Sequence, residues 1–389
     1  MSKKEKIEFS DRFVAEDTNE ATRLRLRSLT SFRMCERIIG KRGPDLEPSI
    51  VAAKAAQTAW AVKNALGYWE SGTTSLNARV LSRYYALLQV SIAEQVASPN
   101  SHTDLQEIQK HTESGGHGLF TIAEQSGTFP NNYYVGCLSK GHFFEYAKHR
   151  GINLSPVAFG GRPREFPTKP DQVARLVSLD KIVARIPELQ SMVDEYLGVP
   201  PLSFHVVHDS YRNMGTGFRG PNPLTATPAE AIVETSTYVC TYPPSEKVTL
   251  EYLRSLNLPF TDIELVDGSP PSDRPRFSGA LSHPLGKYWW ECIDLYKSGY
   301  SGTSYIVPLW EHIRDPMLLH FIILYALSIV VRYLPALWHE IEDGELDHLR
   351  ALIEHYLVIV DNVLPRLAIE SITGRKFIVV QPGSMQGPV

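Results

Sequence analysis

Cysteine is scarce in this chain of 389 residues, and none of its four cysteines has another close by. Cys35, Cys137, Cys240 and Cys292 are separated by roughly fifty to a hundred residues, whereas zinc sites and the disulfide frameworks of small proteins bring cysteines together at short spacings. We therefore expect no zinc or other metal site and no disulfide framework.

An excess of charge of either sign is also missing. The 39 basic and 43 acidic residues give a formal net charge of −4, so any nucleic-acid contact would need a local patch. The longest apolar stretch, 317–331, is too short for a membrane span, contains His320 and is closed by Arg332, which predicts a core helix. Because the charged start, Met-Ser-Lys-Lys-Glu-Lys, precedes no apolar run, we expect no secretory signal and a cytoplasmic location.

Several signatures of cofactor binding and catalysis are incomplete. The loop 215–220 has Gly-x-Gly-x-x-Gly spacing, but prolines follow at once, so no helix can begin there to bind a pyrophosphate. Arg212 and Arg219 leave an anion contact open at this loop. His205 and His208 are three residues apart on a predicted strand, so their imidazoles would point to opposite faces. No Gly-x-Ser-x-Gly turn supports acyl transfer. The sequence therefore implies no cofactor.

A tyrosine-rich amphipathic helix is the clearest feature that is present. Its apolar residues recur at steps of three and four, which predicts one buried face. The members of that face are Leu76, Val80, Tyr84, Leu87, Leu88, Ile92 and Val96. Arg83 lies beside it and needs a partner, because burying an unpaired charge is costly. With His117 in the Gly-Gly-His-Gly turn that follows, Arg83 and Tyr84 form a candidate binding site or, alternatively, a structural lock in the core.

Helix signals at both ends of the chain enclose a mixed middle. We predict an arm at 1–48, the N-terminal part of a helical bundle at 49–160, a mixed α/β insertion at 161–300 and the C-terminal part of the bundle at 301–380. Strand-like runs occur at 202–208, 231–241 and 261–266. Because neither end can bury its apolar stripe alone, helices at 49–98 should pack on those at 316–372. The predicted fold class is mainly α, of the α+β type.

Arg332 and His339 form the candidate catalytic pair. Six residues separate them, a spacing that could let the guanidinium hold a scissile phosphate while the imidazole serves as acid or base. Pro335 lies between them, so the helix should end near Leu334, with Pro335 starting a new turn. The alternative, which we favour, is that Arg332 caps the carbonyl end of a helix and His339 lies in the following turn.

Four stretches of the sequence match a known family. They are Ser-Arg-Tyr-Tyr-Ala-Leu-Leu at 82–88, Gly-His-Gly-Leu at 116–119, the run at 324–338 and the helix end at 364–370. On these motifs the chain resembles the YaaC-like family of bacterial proteins from about residue 49 to residue 377. The first two motifs are also similar to HEPN-related proteins, which are small helical bundles that often dimerise and occur in toxin and anti-phage systems. The resemblance implies a HEPN-like bundle in the bacterial cytoplasm.

Three hypotheses of function follow. The first is a protein- or RNA-binding assembly or effector component of a bacterial stress or anti-phage defence system. The second is a metal-independent HEPN-type ribonuclease using Arg332 and His339, and the third is an anion- or nucleotide-sensing module at the Arg212–Arg219 loop. As partners we expect a homodimer or a partner protein, with RNA as a candidate ligand and no membrane. The aromatic residues that could anchor an interface are Trp289, Trp290, Tyr300 and Trp310.

Overall fold

The computed structural model describes residues 10–71, 75–213, 234–268, 275–298 and 302–383. The α-helices of this part of the chain are α1 (Thr18–Ser28), α2 (Phe32–Arg42), α3 (Pro48–Glu70), α4 (Leu76–Ala97), α5 (Leu105–Gly115), α6 (His142–His149), α7 (Pro170–Val173), α8 (Leu179–Val183), α9 (Gln190–Leu197), α10 (Ser210–Asn213), α11 (Leu250–Ser255), α12 (Pro316–Tyr333), α13 (Pro335–Asp343) and α14 (Asp347–Thr373).

The strands are short in comparison. They are β1 (Ser10–Val14), β2 (Leu119–Ala123), β3 (Tyr133–Cys137), β4 (Val177–Ser178), β5 (Ser203–His205), β6 (Val207–His208), β7 (Glu234–Thr241), β8 (Thr261–Val266), β9 (Arg276–Pro284), β10 (Tyr296–Ser298), β11 (Gly302–Ile306) and β12 (Lys376–Val380). The protein is therefore mainly helical with several small sheets, as the sequence predicts.

The chain divides into two compact units. Unit 1 contains the described parts of 1–126, 133–176 and 320–389, and unit 2 contains those of 127–132 and 177–319. The two ends of the chain thus share unit 1, in which β1 pairs with β12 in parallel.

Helix α4 lies at the centre of unit 1. Its start is capped by Ser75, whose side chain accepts a hydrogen bond from the backbone N of Ala78, and it packs against both α3 and α14. Tyr84, Leu87 and Val90 are at most 1% exposed, and each such side chain stabilises the fold by roughly 1.5–3 kcal/mol through burial. The predicted packing of the N-terminal helices on the C-terminal ones is confirmed.

Helix α12 has the length and mean hydropathy of a membrane span, but 72% of that apolar window is buried inside the protein. The predicted core helix is therefore confirmed. It ends at Tyr333, and α13 begins at Pro335, because proline has no backbone N–H to continue the hydrogen bonding of α12. Helix α14 contains Pro365 and ends before Gly374, which has φ of +67°. These boundaries also follow the sequence signals.

Unit 2 contains most of the sheet structure. Strands β6, β7, β9 and β8 form one sheet in that order, and β10, β11 and β5 form another. The predicted runs at 202–208 and 261–266 are strands, and 234–241 carries the described part of the third. Strand β9 was not predicted, since its serines, glycine and terminal proline hide its strand character.

Two of the aromatic residues expected at the surface are buried in unit 2. Trp289 packs in the unit 2 core with Phe204 and Tyr305, and Trp310 is also buried, so the prediction that both are surface anchors is wrong. Trp290 is exposed. Tyr300 lies outside the described residues. Tryptophan is a poor guide to surface position because its large apolar ring is highly buried on average.

Candidate functional site

Arg83 is buried in unit 1 and fully engaged with protein groups. Its Nε and Nη2 donate to the two carboxylate oxygens of Asp361 at 2.7 and 3.0 Å, and its Nη1 donates to the backbone carbonyl of Trp69 at 3.0 Å. The indole Nε1 of Trp69 donates to Asp361 as well, at 2.9 Å. These contacts join α3, α4 and α14, so Arg83 has the geometry of the structural lock rather than of a ligand contact.

Tyr84 and His117 are brought together, as the sequence suggested. The Tyr84 hydroxyl lies 2.8 Å from His117 Nδ1, and the Tyr325 ring lies 5.8 Å from the imidazole. Burial, and secondarily the positive charge of Arg332, lowers the pKa of His117, while burial raises that of Tyr84. The imidazole is therefore neutral and the phenol protonated at neutral pH.

Arg332 and His339 lie on different helices, α12 and α13. The Arg332 Nε donates to the Ser328 carbonyl at 3.0 Å and Nη2 to the Ser328 hydroxyl at 3.1 Å, so the guanidinium is tied to its own helix. His339 is exposed. Within the described residues no hydrogen bond joins the two side chains. Arg332 instead lies near Tyr85, whose hydroxyl is 3.5 Å from Nη1.

The Arg212 side chain lies in unit 2. It forms an ion pair with Glu264 at 2.7 Å and lies over the Tyr238 ring at 4.0 Å from the centroid. Arg219 and the glycines of the 215–220 loop lie outside the described residues. The Arg212 guanidinium already has a carboxylate and an aromatic face as partners.

An open cavity of about 1130 Å³ lies on unit 1, and we call it the β2 groove. It is lined by Thr121, Ile122, Ala123, Glu124, Gln125, Ser126, Tyr133, Arg162, Arg164, Glu165, Phe166, Tyr325, Ile329, Tyr333 and Leu334. A consecutive run of six residues at 121–126 shows that the groove follows β2 and the chain just beyond it. Ligand sites are typically concave surfaces of this kind.

The two edges of β2 are not equivalent. The backbone N of Leu138 donates to the Gly118 carbonyl at 2.9 Å, and residues of an antiparallel strand face their partner alternately. The backbone groups of Leu119, Thr121 and Ala123 therefore point away from β3. Within the described residues, β2 pairs with β3 on one edge and with no strand on the other. The open edge is the one that faces the groove.

Two of the three carbonyls of this open edge, those of Leu119 and Thr121, already have donors. The Tyr325 hydroxyl donates to the Leu119 carbonyl at 2.8 Å, and Arg162 Nη2 donates to the Thr121 carbonyl at 3.1 Å. The backbone N–H groups of Thr121 and Ala123 also point away from β3, and they have no hydrogen-bond acceptor in the part of the chain that the structure describes. The edge thus offers mainly hydrogen-bond donors, which suit an anion.

Charged and aromatic side chains surround this edge. Arg162, Arg164 and Glu165 are exposed at the rim, while Glu124 accepts a hydrogen bond from the Tyr134 hydroxyl at 3.2 Å. Burial raises the pKa of Tyr325 to about 12, and that of Tyr133 rises similarly. Both phenols therefore stay protonated and act as hydrogen-bonding groups, not as bases, at neutral pH.

Sequence reasoning missed most of the groove. Arg162 and Arg164 occupy a Gly-Gly-Arg-Pro-Arg loop whose two arginines were a readable signal of a basic surface. Tyr325 lies inside the apolar stretch 317–331, where the sequence predicts a core helix. Nothing in the sequence indicated that β2 would keep an open edge, since strand pairing joins segments that are distant in the chain.

The fold and the groove define a mainly helical α+β protein with a donor-rich strand edge on its helical unit. Its family is shown by comparison: the chain belongs to the YaaC-like protein family, whose model matches residues 47–372. The predicted family is thereby confirmed over most of the chain. No curated protein and no solved structure is significantly similar to the chain.

Proposed function

We propose that this YaaC-like protein is an RNA-binding effector component that holds single-stranded RNA in the β2 groove. The observation that carries the proposal is the open edge of β2, whose Leu119 and Thr121 carbonyls are already occupied, beside Arg162 and Arg164. Single-stranded nucleic acid needs cationic and N–H donors for its phosphates and aromatic faces for its bases. Tyr333 and Phe166 supply such faces in the same groove.

An extended peptide fits the open edge less well than RNA does. A peptide that adds a strand to a sheet must both donate to and accept from the edge. The Leu119 and Thr121 carbonyls already receive hydrogen bonds from Tyr325 and Arg162, so an added strand would have to displace both side chains. A phosphate needs donors alone and displaces neither.

The charge balance of the groove limits how strongly the binding depends on salt. Arg162 and Arg164 are opposed by Glu124 and Glu165 on the same lining. Two phosphate contacts on a single strand correspond to a slope of about −1.4 in log K against log salt concentration. The binding should therefore be salt-dependent but less steeply so than on a strongly basic surface.

Fluorescence anisotropy with a labelled oligouridylate tests the proposal. Arg164→Ala should weaken binding about tenfold and reduce the salt slope by about 0.7, because one charge-assisted phosphate contact is lost. Arg164 makes no hydrogen bond to another described residue, so the fold should be unaffected. Arg33→Ala, at an arginine whose side chain is 81% exposed on α2, is the matched control and should change neither quantity.

Two results would contradict the proposal. The first is wild-type protein that shows no RNA binding at low salt. The second is an acidic peptide that binds in a manner sensitive to Arg164→Ala while the oligouridylate does not bind.

The wider role rests on the HEPN resemblance of the helix at 82–88 and the turn at 116–119. That resemblance supports a HEPN-like arrangement of the helices, a homodimer or a partner protein, and a role in bacterial stress or anti-phage defence. Light scattering at micromolar concentration should give the mass of a dimer or larger assembly. A monomer mass, together with no partner retained from cells, would remove the assembly component of the proposal.

Cleavage by Arg332 and His339 has less support than binding. Arg332 donates two hydrogen bonds to Ser328, and His339 lies on the next helix beyond Pro335. A general base must reach the proton it removes while the guanidinium holds the phosphate. We therefore propose binding without a required catalytic step.

A further inference from the structure

Four side chains beside the β2 groove, three aromatic and one cationic, follow one another in contact. Tyr333 is a groove residue and is 64% exposed, and the Arg332 guanidinium lies 5.1 Å from its ring centroid. Arg332 Nη1 is 3.5 Å from the Tyr85 hydroxyl. The Tyr85 ring is stacked on that of Tyr68, with centroids 5.3 Å apart. We call Tyr333, Arg332, Tyr85 and Tyr68 the tyrosine–arginine track.

The track is continuous with the groove and ends at an exposed ring. Tyr333 belongs to both, while Tyr68, at the other end, is 39% exposed on α3. All four track residues belong to unit 1, and they are adjacent in space although Tyr68 and Tyr333 are far apart in the chain. A ligand that leaves the groove past Tyr333 therefore meets Arg332 next.

Protein groups orient the Arg332 side chain but do not use all of its N–H donors. A guanidinium has five N–H donors. Three of its hydrogen bonds go to the Ser328 carbonyl, the Ser328 hydroxyl and the Tyr85 hydroxyl. Two donors are left for a phosphate, and the side chain is only half buried. A side chain held in this way loses little further freedom when it binds a ligand.

We propose that the tyrosine–arginine track extends the RNA site, so that a strand held in the β2 groove continues over Tyr333 and Arg332 onto Tyr85 and Tyr68. This inference rests on the proposed function of the groove. The exposed rings at the two ends stack on bases, and Arg332 contacts the phosphate between them. The track thus sets the length of RNA that the protein recognises, and it gives Arg332 a phosphate-binding role that does not involve His339.

Length-dependent binding tests the inference. Anisotropy is measured with oligouridylates of about 4 and about 12 nucleotides, which span the range of single-strand site sizes. Wild-type protein should bind the longer oligonucleotide more tightly by at least about tenfold. Tyr68→Ala and Arg332→Ala should each remove most of that gain while changing the affinity for the shorter one by less than about twofold.

Matched variants separate the track from general effects. Tyr242→Ala replaces a tyrosine of unit 2 that is also 39% exposed, and it should leave the binding of both oligonucleotides unchanged. Arg332→Lys keeps the charge but has fewer donors, so it should recover part of the length-dependent gain. Tyr68 is exposed, and its hydroxyl makes no hydrogen bond to another described residue, so its variant should fold normally.

The outcomes distinguish the inference from the proposed function. If both oligonucleotides bind the wild type equally well, or if Tyr68→Ala leaves the affinity for the longer one unchanged, the track is not part of the site, although the groove still binds RNA. If Tyr68→Ala weakens the binding of both oligonucleotides equally, Tyr68 does not contact the additional nucleotides of the longer one, and the inference is wrong. If neither oligonucleotide binds the wild type, the proposed function itself fails and the inference fails with it.

Discussion

Arg83 and Asp361, which are 278 residues apart in the chain, form a two-pronged ion pair at 2.7 and 3.0 Å between α4 and α14. Arg83 is 5% exposed, and the Asp361 side chain is 20% exposed. The Trp69 indole and carbonyl complete the contact from α3. One buried cation thus holds together helices from both ends of the sequence.

Replacing Arg83 should therefore destabilise the fold. Removing one member of a buried pair costs about 3–5 kcal/mol, and the partial exposure of Asp361 reduces this to roughly 2–4 kcal/mol for Arg83→Ala. Urea denaturation followed by circular dichroism measures the loss. Arg27→Ala, which breaks the exposed pair with Glu70, is the control and should cost less than about 1 kcal/mol. Equal losses in the two variants would show that the Arg83 contacts are not structural.

Two buried histidines should make stability fall in mild acid. Burial lowers the pKa of both His142 and His320 to about 3 from the ordinary value of 6.5. Below about pH 6.5 the unfolded chain therefore takes up protons that the folded chain does not, and each histidine lowers the free energy of unfolding by about 1.4 kcal/mol per pH unit until the folded-state pKa is reached.

Urea titrations between about pH 7 and about pH 5 measure this dependence. His320→Gln should reduce the slope because it removes an imidazole that stays neutral in the folded protein. An unchanged slope in His320→Gln would mean that this imidazole does not stay neutral in the folded protein.

Arg332 should hold down the pKa of His117. Burial is the larger cause of the lowered pKa and the charge of Arg332 the second, so Arg332→Ala should raise the His117 pKa without bringing it to 6.5. A titration of the imidazole resonances by NMR measures the change. Arg33→Ala removes an exposed positive charge on α2 and should have no effect. A His117 pKa that is the same in Arg332→Ala and in the wild type would contradict the coupling.

The binding and ribonuclease hypotheses predict different stabilities and different RNA cleavage for variants of Arg332 and His339. The results expected under the binding hypothesis are as follows. Arg332→Ala should lower stability by about 1 kcal/mol through loss of its hydrogen bonds to Ser328, and His339→Ala should change it by less than about 0.5 kcal/mol. Neither variant should alter the fate of total RNA incubated with the protein in EDTA. Catalysis would be favoured instead if the wild type cleaved RNA without metal and both variants lost this cleavage while keeping the melting temperature of the wild type.

The helices were the part of the fold most open to prediction. The end of α12 before Pro335, the Ser75 cap and the Gly374 stop follow from local chemistry, which acts within a few residues. Strand β9 escaped prediction because its stability comes from pairing with β7 and β8, which no local pattern records. Trp289 and Trp310 were misplaced at the surface for a related reason, since side-chain burial depends on neighbours that are remote in sequence.

The sequence by itself determined the family and the ends of the helices, because motifs, caps and periodicity are formed by residues that are close together in the chain. Only the tertiary structure decided that Arg83 is neutralised by Asp361, that Arg332 lies with Tyr85 rather than with His339, and that β2 keeps an open edge. Each of these depends on which distant segments meet. That choice is made by the burial of whole helix faces and by strand pairing, which are properties of the assembled chain and not of any one segment.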